Sequence, residues 1–200
     1  MSQYVKFTYE CVCPEVGPFD QLAELNECRG KLRELHLIGV DSNGIGFGNL
    51  SVRDGATGNF YVTGTATGGL TELTLAHCVR VVAHDFERNW VRYEGSAIPS
   101  SESLTHAAIY ESDPTACAVI HCHDFDLWAT LLHRLPTTSQ AAAYGTPQMA
   151  NEIIRLSKVS DQRTGHIFVM AGHKGGIVVF GENCEDAFDI LMRERRASSP

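Results

Sequence analysis

Between residues 4 and 12 the chain alternates, with Val5, Phe7, Tyr9 and Cys11 on one face and Lys6, Thr8 and Glu10 on the other. A period of two marks a strand with one buried face, so a strand is predicted over 4–12, ended by Pro14 and Gly17-Pro18. Leu22, Leu25, Cys28, Leu32 and Leu35 then recur at helical spacing and predict an amphipathic helix over 20–37, with Asp20 as its N-cap. Gly39, Gly44, Gly46 and Gly48 make a flexible connection into a strand at 50–53. Asp54-Gly55 and Gly58-Asn59 supply turn residues for a hairpin with 60–63, and a second glycine-rich loop covers 64–69. Strands are predicted at 78–83, 90–93, 116–123, 166–171 and 177–180, and helices at 101–112, 125–133, 147–159 and 185–195. The run 116–123 is apolar on both faces, as in a central strand. No repeat or linker interrupts the alternation, so the reading is one α/β domain over 1–200. Its core spans 19–195, preceded by an N-terminal strand in 1–18 and followed by a frayed polar tail, 196–200.

Composition narrows the function classes. Two hundred residues, 44% hydrophobic and 20% charged, suit a domain with a continuous core that needs no staples. A net charge of -8 repels phosphate backbones and anionic lipid, which excludes nucleic acid and membrane surfaces as expected partners. No apolar run approaches the ~20 residues of a membrane span, and Met1 to Lys6 lacks a signal peptide's apolar core, so the cytoplasm is expected. Seven cysteines, an odd number, read as reduced thiols. Cys78, Cys117 and Cys122 fall in strand-like runs as small hydrophobes, and the Cys11/Cys13 pair reads as structural.

The chemistry centres on Ala118-Val119-Ile120-His121-Cys122-His123. Positions i and i+2 of a strand face the same side, so His121 and His123 can offer two imidazoles to one metal ion. Alone, such a pair equally describes two half-buried, hydrogen-bonded histidines. Glu102 and His173 are the candidates for the remaining ligands. Ser100-Ser101-Glu102 falls at a helix start, where hydroxyls and free N–H groups favour an anion, or where the motif simply caps. Gly48-Asn49-Leu50-Ser51 and Thr63-Gly64-Thr65 could present amide, hydroxyl and backbone donors to a phosphate or carboxylate, or could be plain turns. Neither loop matches a Walker or dinucleotide fingerprint, so ATP and NAD are not indicated. A bound metal would act as Lewis acid while Glu102 shuttles protons, with His106 four residues on as a supporting group. His36, His77, His84, His133 and His166 read as structural or solvated.

Taken together, these motifs resemble the class II aldolase/adducin family over roughly residues 20–195. The resemblance rests on Gly48 to Arg53, Thr63-Gly64-Thr65, Pro99 to Glu102 with His106, His121-x-His123, Tyr144-Gly145-Thr146 and Gly172-His173, all in register. It implies a three-layer α/β/α domain around a mostly antiparallel mixed sheet, assembled as a homo-oligomer, a tetramer being favoured. It also implies His121, His123 and His173 as metal ligands and Glu102 as fourth ligand or acid/base. Asn49, Ser51, Thr63, Gly64, Thr65, Ser100 and Ser101 would bind the substrate. The expected cofactor is a divalent metal, zinc first and Mn2+, Co2+ or Fe2+ as alternatives. The expected activity is that of a lyase of the aldolase type, acting on a small anionic hydroxy-carbonyl compound such as a sugar phosphate through an enediolate. An epimerase or dehydratase on the same platform, or a non-catalytic adducin-like assembly module, are the alternatives. Three departures stand out: a short segment before Tyr144, Gly46 where those aldolases carry threonine, and Lys174-Gly175-Gly176 after His173.

Overall fold

The computed structural model describes residues 5–55, 57–160 and 166–198. Tyr4, the expected start of the first strand, residues 1–3 and the last two residues of the tail lie outside the described residues. The chain runs β1 (Thr8–Cys13), α1 (Leu22–Glu34), a two-stranded β2 (Gly39–Val40) and β3 (Gly46–Phe47), then β4 (Asn49–Arg53) and β5 (Phe60–Thr63). After a 3-10 turn at Leu75–His77 come β6 (Cys78–Asp85), β7 (Trp90–Glu94), α2 (Ser103–Ser112), β8 (Ala118–His123) and α3 (Phe125–Leu131). The remainder is α4 (Pro147–Val159), β9 (Ile167–Val169), β10 (Gly176–Gly181) and α5 (Cys184–Ala197).

Eight strands form one sheet in the order β1-β7-β6-β5-β4-β8-β10-β9. Among the pairings of these eight strands in the described residues only β1 against β7 is parallel, so the mixed, mostly antiparallel sheet is as expected. Strand alternation sorts the two faces. Ile120 and Cys122 of β8 pack with Leu25 and Leu32 of α1 and Leu191 of α5 on one side. Val119 of β8 and Val178 of β10 pack with Leu104 and Ala108 of α2 and Ile153 of α4 on the other. Each Val, Leu or Ile among them contributes about 1.5–3 kcal/mol on burial, and truncating Ile120 to Ala would cost about 2–5 kcal/mol. His121 and His123 share the Val119 side of β8 by the same alternation.

Element ends follow local chemistry. Asp124, Thr146 and Asn183 cap α3, α4 and α5 by accepting from the N–H groups of Leu127, Met149 and Asp186, and Pro147 opens α4. The first helix is shorter than its hydrophobic repeat predicts. It starts after Gln21 because a turn closes at Phe19, whose ring stacks on Tyr61 at 4.0 Å. It stops at Glu34 because His36 turns left-handed, with φ 57°. The first strand begins at Thr8 because its partner β7 begins at Trp90. Cys28, Cys78, Cys122 and Cys184 are buried thiols, whereas Cys117, expected inside, is exposed just ahead of β8. Among the described residues no helix is long and apolar enough to cross a membrane.

Candidate metal centre and its cavity

A hairpin of the sheet gathers three histidines. His121 and His123 lie on β8, and His173 lies in the turn between β9 and β10, held by its N–H to the Met170 carbonyl. Nε2 of His123 is 3.2 Å from Nε2 of His121 and 3.0 Å from Nε2 of His173. The carbonyl of Ile177 lies 3.2 Å from Nδ1 of His121. A carbonyl can only accept, so the ring proton sits on Nδ1 and the Nε2 lone pair is free for the cluster. Gly176 makes the approach possible: a Cβ there would come within 2.7 Å of His173 Cδ2 and 3.2 Å of His121 Cε1.

Three histidines with converging lone pairs fit a divalent cation. Tetrahedral zinc with Zn–N bonds of about 2.0–2.1 Å spaces its ligand nitrogens about 3.3 Å apart, close to the separations found. Burial holds all three rings neutral, as ligation requires. Desolvation, then the His123 and His173 rings, drives His121 well below its ordinary pKa; burial lowers His123 to about 4 and His173 to about 3. Among the described residues this is the one cluster of three such side chains within 4.8 Å. Glu102, expected as a possible fourth ligand, stands outside it.

Glu102 instead occupies the N-cap position of α2, one residue earlier in the helix than expected. It lines the same cavity of about 890 Å³ as the three histidines. The side chain is 1% exposed. Thr105 donates its hydroxyl to Oε2 at 2.6 Å, and Oε1 is buried with no partner among the described residues. Desolvation raises the carboxyl to about 7, against the lowering pull of Thr105 and the Lys6 charge. A carboxyl poised near neutrality can give or take a proton. Behind it, His106 is fully buried and places Nδ1 2.6 Å from Ser51 Oγ, which is 2.8 Å from the Tyr110 hydroxyl. This network ties α2 to β4.

The wall expected to bind substrate is brought together only in part. Asn49, Gly64, Thr65, Ser100 and Ser101 line the cavity. Ser51 and Thr63 do not: Ser51 is spent on His106 and Tyr110, and the Thr63 hydroxyl accepts from Leu50 N–H at 3.3 Å. Nor are the backbone donors of 64 and 65 available, because Gly64 N–H bonds His77 O and Thr65 N–H bonds Ile98 O. What remains is the Asn49 amide, with its Oδ1 buried and unpartnered among the described residues, the hydroxyls of Thr65 and Ser101, and the hydroxyl of Ser100, which accepts from Glu102 N–H at 3.3 Å and keeps its own proton to donate. Arg53, the only cation in those motifs, faces away and donates to the carbonyls of Ala116, Tyr110 and Asp113. Gly46 has a packing reason of its own, since a Cβ there would meet the Ala66 backbone at 3.0 Å.

Sequence reasoning gave no site role to several groups at or beside this cavity. Phe47 packs against His123 with ring centres 5.4 Å apart, and Tyr144 against His173 at 4.5 Å. Lys6 sets its ammonium 3.5 Å from the centre of the Tyr144 ring. Asp124, the α3 cap, pairs with Arg195 of α5 at 3.0 Å, and both line the cavity. The neighbourhood of Asp124 to His123 was a signal in the sequence; the others come from loops and elements distant along the chain.

Comparison with known proteins fits this geometry. The family model for the class II aldolase and adducin N-terminal domain matches residues 33–197. Among solved structures, an L-fuculose 1-phosphate aldolase superposes with TM-score 0.69 at 24% identity, over 91% of this chain and 84% of the other. YgbL from Escherichia coli, named as a candidate aldolase, epimerase or decarboxylase, gives 0.65 at 20% identity over 88% and 85%. A sugar-phosphate aldolase from Thermotoga maritima gives 0.66 at 16% identity over 90% and 92%. No curated protein matches the chain.

Proposed function

The chain belongs to the class II aldolase and adducin family, and on that premise we propose that it is a metal-dependent lyase of the aldolase type. Its substrate would be a small anionic hydroxy-carbonyl compound, a sugar phosphate first. One observation carries the reading: three imidazole Nε2 atoms converge within 3.2 Å steps in the cavity that also holds a buried carboxyl of pKa about 7.

His121, His123 and His173 would hold the ion, and their all-nitrogen donor set favours zinc. When bound, a divalent cation supplies Lewis-acid stabilisation of negative charge on a carbonyl oxygen. The chain's own residues do the rest. Glu102 moves the proton at Oε1, the unpartnered oxygen, while Thr105 keeps Oε2 in place. Its near-neutral pKa lets it take a proton in one direction and return it in the other. Asn49, Thr65, Ser100 and Ser101 orient the anionic end with an amide and hydroxyls. The apolar faces of Phe47 and Tyr144 beside the histidines limit water at the reacting carbon.

The test is a screen of zinc-, manganese- and cobalt-loaded protein against sugar phosphates and non-phosphorylated aldols, read by NMR. Carbon–carbon cleavage supports the lyase. Inversion at a carbinol carbon, or loss of water, would replace it with an epimerase or dehydratase on the same residues. Full metal occupancy without turnover of any substrate, and without solvent deuterium entering the carbonyl donor, would leave an assembly module.

A further inference from the structure

The N-terminal segment precedes the residues that the family model matches, yet it sets a charged group against Tyr144, a residue of the cavity wall. Lys6 is exposed, and its position is specified from three sides. Phe7, its neighbour, is buried in the core beneath α2 and α4. Asn89, in the β6–β7 turn, donates its amide N–H to the Lys6 carbonyl at 2.8 Å and accepts the Thr8 N–H at 2.9 Å. Asn89 holds a left-handed backbone to do so, with φ 49°. A Cβ on Gly145 would lie 3.7 Å from Lys6 Cβ, which puts the side chain over the Tyr144-Gly145 turn. Its ammonium rests on Tyr144, whose ring in turn packs on His173.

We propose that Lys6 is a substrate-binding residue of this site, pairing across the Tyr144 face with an acid group of the substrate, a carboxylate or a phosphate. The proposal rests on the reading that the cavity binds a small anionic compound. The charge inventory of the polar wall favours it. The motifs expected to hold an anion supply only neutral donors once Arg53 is turned away and the backbone N–H groups of 64 and 65 are consumed. Of the two cations in the cavity's own lining, Arg195 is paired with Asp124 and Lys174 follows His173 at the histidine end, so Lys6 is the charge that stands over the Tyr144 ring. In a chain of net charge -8, a cation at the rim also marks where an anion can approach.

Isothermal titration of inorganic phosphate and of glycolate into the full chain, with and without zinc, tests this. Lys6→Met keeps the aliphatic stem and removes the charge. It should weaken at least one of the two anions about 10-fold, as loss of one charge-assisted hydrogen bond does, while zinc content stays at the wild-type level. Lys6→Arg should restore the affinity. Asn89→Gly accepts the left-handed backbone but removes the amide clamp, and should weaken the same anion by a smaller factor with the charge still present. Weakening of phosphate alone assigns a phosphate, of glycolate alone a carboxylate. Unchanged affinity for both anions in Lys6→Met overturns the proposal. Failure of the wild-type protein to take up zinc would instead sink the lyase reading, and the metal-free titrations would still decide the role of Lys6.

Discussion

The histidine end of the cavity and the opposite wall, from Asn49 to Ser101, differ in what decides their contents. At the histidine end, side-chain direction does the work: His121 and His123 alternate onto one face of β8, and the β9–β10 turn brings His173 to them. At the wall, hydrogen-bond accounting does the work. Thr63, Ser51 and the N–H groups of 64 and 65 are all polar and nearby, yet each is already engaged. Direction is a local property of a strand; availability depends on partners distant in the chain.

The contrast breaks most completely with His121→Ala/His173→Ala. Elemental analysis should find the metal lost, while circular dichroism keeps the native signal, because the two apolar layers do not depend on the ion. Retained full occupancy would remove the metal assignment. Glu102→Gln comes next: turnover should fall ~100-fold or more with metal kept. In the wild type, if Glu102 acts as base, kcat/KM should rise with pH through about 7, and the variant should lose that limb.

The same carboxyl bears on stability with a definite sign. Its folded pKa, about 7, lies above the ordinary 4.5. The unfolded chain therefore releases this proton first, and the group's contribution, intact below pH 4.5, is lost as pH climbs to about 7. Metal-free Glu102→Gln should then be more stable than wild type at pH 8, by about 3 kcal/mol at most, in urea melts. Equal stability at pH 8 would mean the carboxyl is less desolvated than its burial suggests.

Two smaller effects sharpen the comparison. Gly176→Ala pushes a methyl at His173 and His121, and should weaken zinc affinity by about 10-fold, the scale of supporting groups around a metal, in chelator competition. Ser51→Ala should leave anion affinity at the wild-type level but cost about 1–3 kcal/mol of stability, since it strands His106 and Tyr110. A Ser51 variant that lost anion binding with its fold intact would return Ser51 to the wall.

The sequence carried the layers and most of the elements, because hydrophobic period is set by the faces each element buries. The expected helix at 147–159 coincides with α4, where Thr146 and Pro147 give an unambiguous start. Legibility fails where an element ends for a non-local reason. The first strand waits for Trp90, and α1 closes on the Phe19–Tyr61 stack. In the site, the His-x-His spacing was readable from alternation, and His173 stood beside Glu102 as a candidate ligand that the family resemblance then singled out. Lys6 was readable only as the polar side of an alternating strand, because nothing local ties it to Tyr144, 138 positions away.

One register pair has a wider consequence. Asn49 of β4 sits directly opposite His121 of β8, so a single rung of the sheet joins the polar wall to the histidines. For a molecule held between Asn49 and the histidines, as proposed, the span is therefore metered by the ladder, a spacing of about 4.5–5.5 Å across the strands. Loop grafts would alter which head group is welcomed, while the gauge of the track on which it is carried stays fixed.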